Sequence, residues 1–291
     1  MKYAISHRTT YTYGEPVDLA NHILHLTPRE TPWQRVLEAE VLCDPLPLRR
    51  SRRLDHFGNT TIQISIEDPH TSFTITASCQ VEVALPYPPP PDSTPAWENV
   101  RGQLLGDGFP LSPEASEFTY PSPLIPLLDD ARAYALPSFP ANQPLLYGLR
   151  DLTRRIHRDF RFQPGATAVS TPVQDVLRER RGVCQDFAHV QLACLRALGL
   201  SARYVSGYLR TLPPPGQYRL IGADASHAWV SAWCPGFGWI DLDPTNDLVV
   251  AEDHVTLAWG RDYADVSPVR GIILGGGSHS LDVAVQMDEL S

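Results

Sequence analysis

The chain has 291 residues, which exceeds one compact small domain and suggests two. Acidic residues outnumber basic ones 33 to 24, a net charge of −9 that argues against a nucleic-acid partner, and the densest basic run, Arg49-Arg50-Ser51-Arg52-Arg53, reads as a solvated loop. No apolar run reaches membrane-spanning length, and Met1-Lys2-Tyr3-Ala4-Ile5-Ser6-His7 has no apolar leader core, so neither a membrane partner nor a secretory signal is expected.

The first segment alternates with period 2. Tyr3, Ile5, His7, Thr9, Tyr11 and Tyr13 share one strand face; Leu37, Ala39, Val41 and Cys43 share another. Ile62, Ile64 and Ile66 follow, and then Phe73, Ile75, Ala77, Cys79, Val81 and Val83. Such runs, punctuated by Pro, Gly, Asn and Asp, predict an antiparallel β-sandwich or barrel over residues 1–85. Phe57-Gly58-Asn59 supplies a hairpin turn. Cys43 and Cys79 fall on apolar strand faces, as small buried hydrophobes do. Residues 86–97 are proline-rich and read as a stiff, extended linker.

Helices are predicted next, at Ile125–Leu136, with Pro126 in its first turn, and at Leu145–Phe160. A short helix follows over 173–180, with Thr171-Pro172 at its start. From Gln185 to Leu198 there is neither proline nor glycine, and Gly199 stands where a helix C-cap belongs. This segment is apolar nearly all round, which marks a central buried helix. Strands are expected at Ala202–Leu209, Leu220–Ile221, Ala225–Trp233 and Gly238–Leu242. Helices first and antiparallel strands second is α+β order. The tail carries a glycine-rich turn over Gly271–Gly277 and a last strand with Leu281, Val283, Val285 and Met287 in alternation. Residues 98–291 are taken as the second domain.

The chemistry centres on Arg181-Gly182-Val183-Cys184-Gln185-Asp186. Cys184 falls at a helix N-terminus, whose partial positive charge stabilises a thiolate. That end is worth about 0.3–1 kcal/mol when exposed and up to about 2 when partly buried, so a strongly activated thiolate needs a second cationic partner. His227, at the start of the strand Ser226–Trp233, supplies it. The hairpin through Cys234-Pro235-Gly236-Phe237-Gly238 returns Asp243 beside His227, with Asp241 a rival on the same face. Cys184, His227 and Asp243 would then form a triad in which the acid fixes the imidazole tautomer. His189 lies roughly 140° around the helix from Cys184 and is taken as structural, as is Cys194. Five scattered cysteines, an odd number without a C-x-x-C pair, suggest no disulfide framework and fit a reducing cytoplasm. No cofactor or metal is expected, because no ligand spacing matches a metal site.

The strings GVCQDFAHVQLACLRALGLSARYVSGYL and SHAWVSAWCPGFGWIDLDPTN resemble the core of the bacterial transglutaminase-like superfamily. HRTTYTYGEPV, HILHLTPRE and DHFGNT are similar to the N-terminal domain of its bacterial branch, and GRDYADVSPVRGIILGGG to its tail. The resemblance implies a papain-like catalytic fold. It also implies Cys184 as nucleophile, His227 as general base and Asp243 as orienting acid. The partner would be a protein or peptide carboxamide. The acyl-enzyme would be resolved by water, as in a protease or deamidase, or by an amine, as in a transglutaminase. A non-catalytic protein-binding module on the same fold is the alternative. The resemblance suggests that Tyr263 and Asp265 border the cleft, against packing between domains as the plainer reading.

Overall fold

The computed structural model describes residues 1–84, 88–106, 113–211 and 225–290. The first strands are β1 (Lys2–Leu24), β2 (Gln34–Asp44), β3 (Arg49–Leu54), β4 (Thr60–Ile66) and β5 (His70–Val83). Then come α1 (Trp97–Leu105), α2 (Pro113–Glu117), α3 (Asp129–Ala135), α4 (Leu145–Asp159), β6 (Arg161–Phe162), α5 (Val173–Glu179), β7 (Arg181–Gly182) and α6 (Cys184–Ala197). The chain continues through β8 (Ala202–Leu209), β9 (Ala225–Cys234), β10 (Gly238–Asp243), β11 (Leu248–Val249) and β12 (His254–Gly260). It closes with α7 (Tyr263–Val266), β13 (Val269–Gly275) and β14 (His279–Leu290). The strand expected at Leu220–Ile221 lies outside the described residues.

The N-terminal half is one curled antiparallel sheet organised by β1. The first half of β1 pairs with β5 on one side and β14 on the other. Its second half pairs with β4 and β13. A register irregularity between Thr12 and Val17 marks the change of partners. Side chains from both halves, including Val41, Ile62, Ile66, Phe73 and Ile75, meet in one buried cluster, so the curl encloses a core. The alternation read from the sequence puts one face inside along β4 and β5, whereas of the run on β2 only Val41 and Cys43 are buried and Leu37 and Ala39 are exposed.

Three expectations change here. The tail, assigned to the second domain, completes the first sheet: β14 runs beside β1 from Lys2↔Leu290 to Tyr13↔His279. Most of the stretch read as a glycine-rich turn is itself a strand, β13, and only Gly275–Gly277 turn the chain. Alternation identifies a strand but not its sheet, so nothing local marks this return. The arginine run is likewise not a loop. It forms β3, an exposed edge strand, where charge discourages pairing with another chain.

The second half packs helices on an antiparallel sheet of order β11-β10-β9-β8-β12. α6 lies in the middle and is buried along almost its whole length, contributing Phe187, Val190, Leu192 and Leu195 to the largest core. The helix expected at Ile125 begins only at Asp129, because Leu128 is still extended. Pro126 therefore sits before the helix rather than in its first turn.

Two side-chain amides join the halves. β12 is an edge of the second sheet, and its outer backbone groups would lack partners. Gln34 Nε2 donates to Thr256 O at 2.8 Å and Gln34 Oε1 accepts from Thr256 N–H at 2.8 Å. Asn59 does the same for Trp259, at 2.8 and 2.9 Å. The Trp259 ring is sandwiched between guanidinium groups, Arg29 at 3.5 Å and Arg203 at 3.6 Å from its centroid.

Candidate active site

Cys184 occupies the first position of α6. The preceding Gly182 is required by close approach, since a Cβ there would press on the Asp186 carboxylate. That carboxylate reaches back from the third helical position to accept the Val183 N–H at 2.7 Å, and Thr167 Oγ1 donates to it at 2.6 Å. The interaction satisfies a donor just ahead of the helix and fixes the geometry of its first turn. Burial pushes the Asp186 carboxyl pKa up, while the two hydrogen bonds pull it back. Cys184 is half-buried; Cys43, Cys79, Cys194 and Cys234 are buried, and all five are free thiols.

His227 lies near the start of β9, directly across from Gly207 on β8. A Cβ at Gly207 would overlap both the Trp229 ring and the Val255 carbonyl, so glycine is what lets Trp229 lie down beside the histidine. His227 Nε2 donates to Asp243 Oδ2 at 2.8 Å, and the Cys184 side chain is the ring's other electrostatic partner. With Nε2 committed to Asp243, Nδ1 is the nitrogen left to face sulfur. Burial alone lowers the His227 pKa, but the hydrogen bonds and negative charges of Asp243 and Cys184 outweigh it and raise the pKa to about 10.

Asp243 ends β10 and is 0% exposed. Its Oδ1 accepts the backbone N–H groups of Thr245 at 2.9 Å and Asn246 at 3.2 Å, an Asx turn made by the Asp-Pro-Thr-Asn block. Its Oδ2 accepts from His227, from Asn246 Nδ2 at 2.7 Å and from His254 Nε2 at 3.1 Å. Burial works against the charge, yet these donors hold the carboxyl well below the usual range. The rival, Asp241, faces elsewhere: its Oδ2 accepts from Trp229 Nε1 at 3.1 Å. The sequence reading brought Cys184, His227 and Asp243 together but missed Asn246 and His254. Asn246 was within the block that selected Asp243, and His254 opens the apolar run HVTLAWG eleven residues on.

The other singled-out residues make contacts of their own. His189 is buried, its Nε2 accepts the Tyr263 N–H at 3.3 Å, and burial lowers its pKa to about 4. Tyr263 packs edge-on against Tyr204, and Asp265 pairs in bidentate fashion with Arg261. Asp243 Oδ2 and the Nε2 atoms of His227 and His254 all lie within 4.8 Å of one another, the one such group among the described residues. Two N–H donors on one oxygen produce that spacing without an ion.

Comparison with known proteins gives this geometry a context. The profile of the bacterial transglutaminase-like N-terminal region matches residues 3–82, and that of the transglutaminase-like superfamily matches residues 137–244. An uncharacterized Mycobacterium tuberculosis protein is 44% identical over 297 residues, spanning 98% of this chain and 92% of that one. The chain belongs to the transglutaminase-like superfamily. A protein-glutamine gamma-glutamyltransferase of Pseudomonas aeruginosa is 37% identical over 131 residues, 41% of this chain and 19% of that protein. The crystal structure of a candidate cysteine protease from Cytophaga hutchinsonii superposes with a TM-score of 0.78 at 24% identity, over 100% of this chain and 91% of that one. This last likeness carries the fold. Within a transglutaminase-like chain, Cys184, His227 and Asp243 fall inside or at the end of the matched core. Among the described residues, no helix is long and apolar enough to cross a membrane.

Proposed function

We propose that the protein is a thiol enzyme acting on carboxamides of proteins or peptides, with Cys184 as nucleophile, His227 as general acid and base, and Asp243 as the orienting acid. The observation that carries this reading is a buried imidazole held by the Asp243 carboxylate at 2.8 Å, with the Cys184 side chain at the start of α6 acting on the same ring. The thiolate attacks the carbonyl carbon, and the backbone N–H of Cys184 at the open helix end is placed to stabilise the oxyanion. The His227 imidazolium then protonates the leaving nitrogen, the C–N bond breaks, and a thioester remains on Cys184. Neutral His227 next takes a proton from the resolving nucleophile, which attacks the thioester and releases the sulfur.

We favour water as that nucleophile, which makes the enzyme a protease or deamidase. The Pseudomonas aeruginosa gamma-glutamyltransferase supports the second reading, in which an amine resolves the thioester. On the five free thiols we place the protein in a reducing, cytoplasmic compartment, which cell fractionation checks directly. The residues up to 85 would form a supporting β unit and those from 98 the catalytic unit, apart from the tail strands.

The test is incubation with peptide and protein libraries, with and without a primary amine, comparing wild type with Cys184→Ala by mass spectrometry. New amino termini mean proteolysis. Ammonia release alone means deamidation, and ammonia release with amine incorporation means transfer. Identical products from the two proteins, with no trapped thioester, overturn the reading and favour a binding module.

A further inference from the structure

The Asp243 carboxylate is shared between two histidines. Oδ2 accepts from His227 Nε2 at 2.8 Å and from His254 Nε2 at 3.1 Å, with the two rings 6.0 Å apart between centroids. His254 opens β12, is buried, and packs edge-on against the Trp229 ring at 5.2 Å. Its Nδ1 is buried and has no hydrogen-bond partner among the described residues. An ionised carboxylate only accepts, so His254 carries a proton on Nε2 and donates it to Asp243.

A carboxylate oxygen that serves several donors is less basic toward each of them. An Asp243 attended by His227 alone would hold the imidazolium proton more tightly. His227 would then be a weaker acid when the leaving nitrogen needs that proton. We propose that His254 is a positioning residue for His227: by donating to Asp243 Oδ2 it keeps the carboxylate ionised in a closed site and limits how strongly that carboxylate retains the His227 proton. His254 itself acts only through Asp243. The inference rests on the triad reading above and extends it by one residue.

The charged and titratable groups on the flanking elements are few. Cys184 comes from α6 and Asp241 from β10. Arg210, just past β8, pairs with Asp253 at 3.8 Å and with Glu289 of β14 at 2.8 Å. From β1, Tyr3 donates to Asp253 at 3.2 Å, and His7 shares a hydrogen bond with Tyr208 at 2.9 Å.

The experiment needs no substrate. Iodoacetate is an anion, so it alkylates Cys184 fastest while the adjacent imidazole is cationic, and its rate falls as that proton is lost. The rate is measured against pH for wild type, His254→Leu and His254→Gln. Removing the donor in His254→Leu is expected to move the alkaline fall upward by about 0.5–1 pH unit, a part of what one hydrogen bond to a charged group supplies. Gln keeps an N–H near the Nε2 position and is expected to stay within about 0.2 unit of wild type, well under the effect of one lost hydrogen bond. Three coincident profiles reduce His254 to packing and overturn the inference, as does a Gln variant shifted as far as the Leu variant. A wild-type Cys184 with no preferential labelling and no alkaline fall instead removes the triad reading beneath it. Nitrogen-15 NMR of the wild-type imidazoles covers the case of unfolded variants: His254 is expected to carry a proton on Nε2, and its absence there overturns the inference.

Discussion

Gln34 completes the outer edge of β12 by exchanging two hydrogen bonds with Thr256, both at 2.8 Å. A strand edge that would otherwise need another strand is met at Thr256 by Gln34, as it is at Trp259 by Asn59. Gln34→Leu leaves the Thr256 N–H buried without a partner, while the Thr256 carbonyl keeps only the Arg29 N–H at 3.2 Å, which costs about 1–3 kcal/mol. A lowered melting temperature and faster hydrogen exchange at the Thr256 amide are expected. An unchanged exchange rate would mean the contact does not hold the halves together.

Cys184 is expected to react first with iodoacetamide at pH 6.5. Its competitors are buried, and desolvation by burial raises the thiols of Cys79 and Cys194 to about 12 and that of Cys234 to about 11. Brief labelling followed by peptide mapping reads the order directly. Equal labelling at all sites counts against an activated thiolate. The imidazolium partner is present below the raised His227 pKa and is lost as pH rises through about 10. Preferential reactivity is therefore expected to span neutral pH.

Asp243→Asn is expected to slow whatever amide chemistry is found by about 10²–10⁴-fold, while Cys184→Ala abolishes it. The asparagine leaves the attacking sulfur in place but can offer its oxygen to the histidines only in one amide orientation. Single-turnover kinetics on a labelled peptide separate the two effects. Equal losses would assign Asp243 more than an orienting role.

Gly207→Ala tests how tightly the His227 neighbourhood is packed. The new methyl group has to displace the Trp229 ring or the Val255 carbonyl, an overpacking cost of about 1–3 kcal/mol. Both a lower melting temperature and slower Cys184 alkylation are expected, because Trp229 lies 6.3 Å from the His227 ring. A loss of stability with alkylation unchanged would separate the tryptophan from the histidine.

Acid is expected to destabilise the fold beginning near pH 6.5. Burial lowers the pKa of His7, His22 and His189 to about 4 each, and for His22 the charge of His70 adds to it. Between those values and about 6.5 an unfolded chain binds protons that the folded one refuses, so stability falls as pH falls. Full stability from these groups is present above about 6.5, and the loss reaches a few kcal/mol in total by pH 4. Melting temperatures from pH 7.5 to 4.5 check this, and His7→Gln is expected to flatten the slope.

The legible parts of this protein are those whose signal is local. The uninterrupted apolar run after Cys184 announced α6, and the hairpin turn ahead of Asp243 announced its return to His227. What stayed hidden depends on contacts distant in sequence. The alternation of Val283, Val285 and Met287 is the same whether β14 joins the second sheet or pairs with β1, as it does. His254 was overlooked because β12 is buried on both faces and shows no alternation to mark its ends. The arginines of β3 mimic a loop because an edge strand and a loop carry the same charge.

The pairing of β1 with β14 sets an order of events on the ribosome. β1 emerges well before its partner, which runs from His279 to Leu290. Between them β1 can bind β5 and β4, which follow within the first 83 residues. One edge of β1 then stays open while the second half of the chain is synthesised. The thiol site at α6 is thus able to assemble before the sheet beside it closes. A stalled or clipped chain that lacks the tail presents the bare edge of its longest strand to whatever chain is nearby.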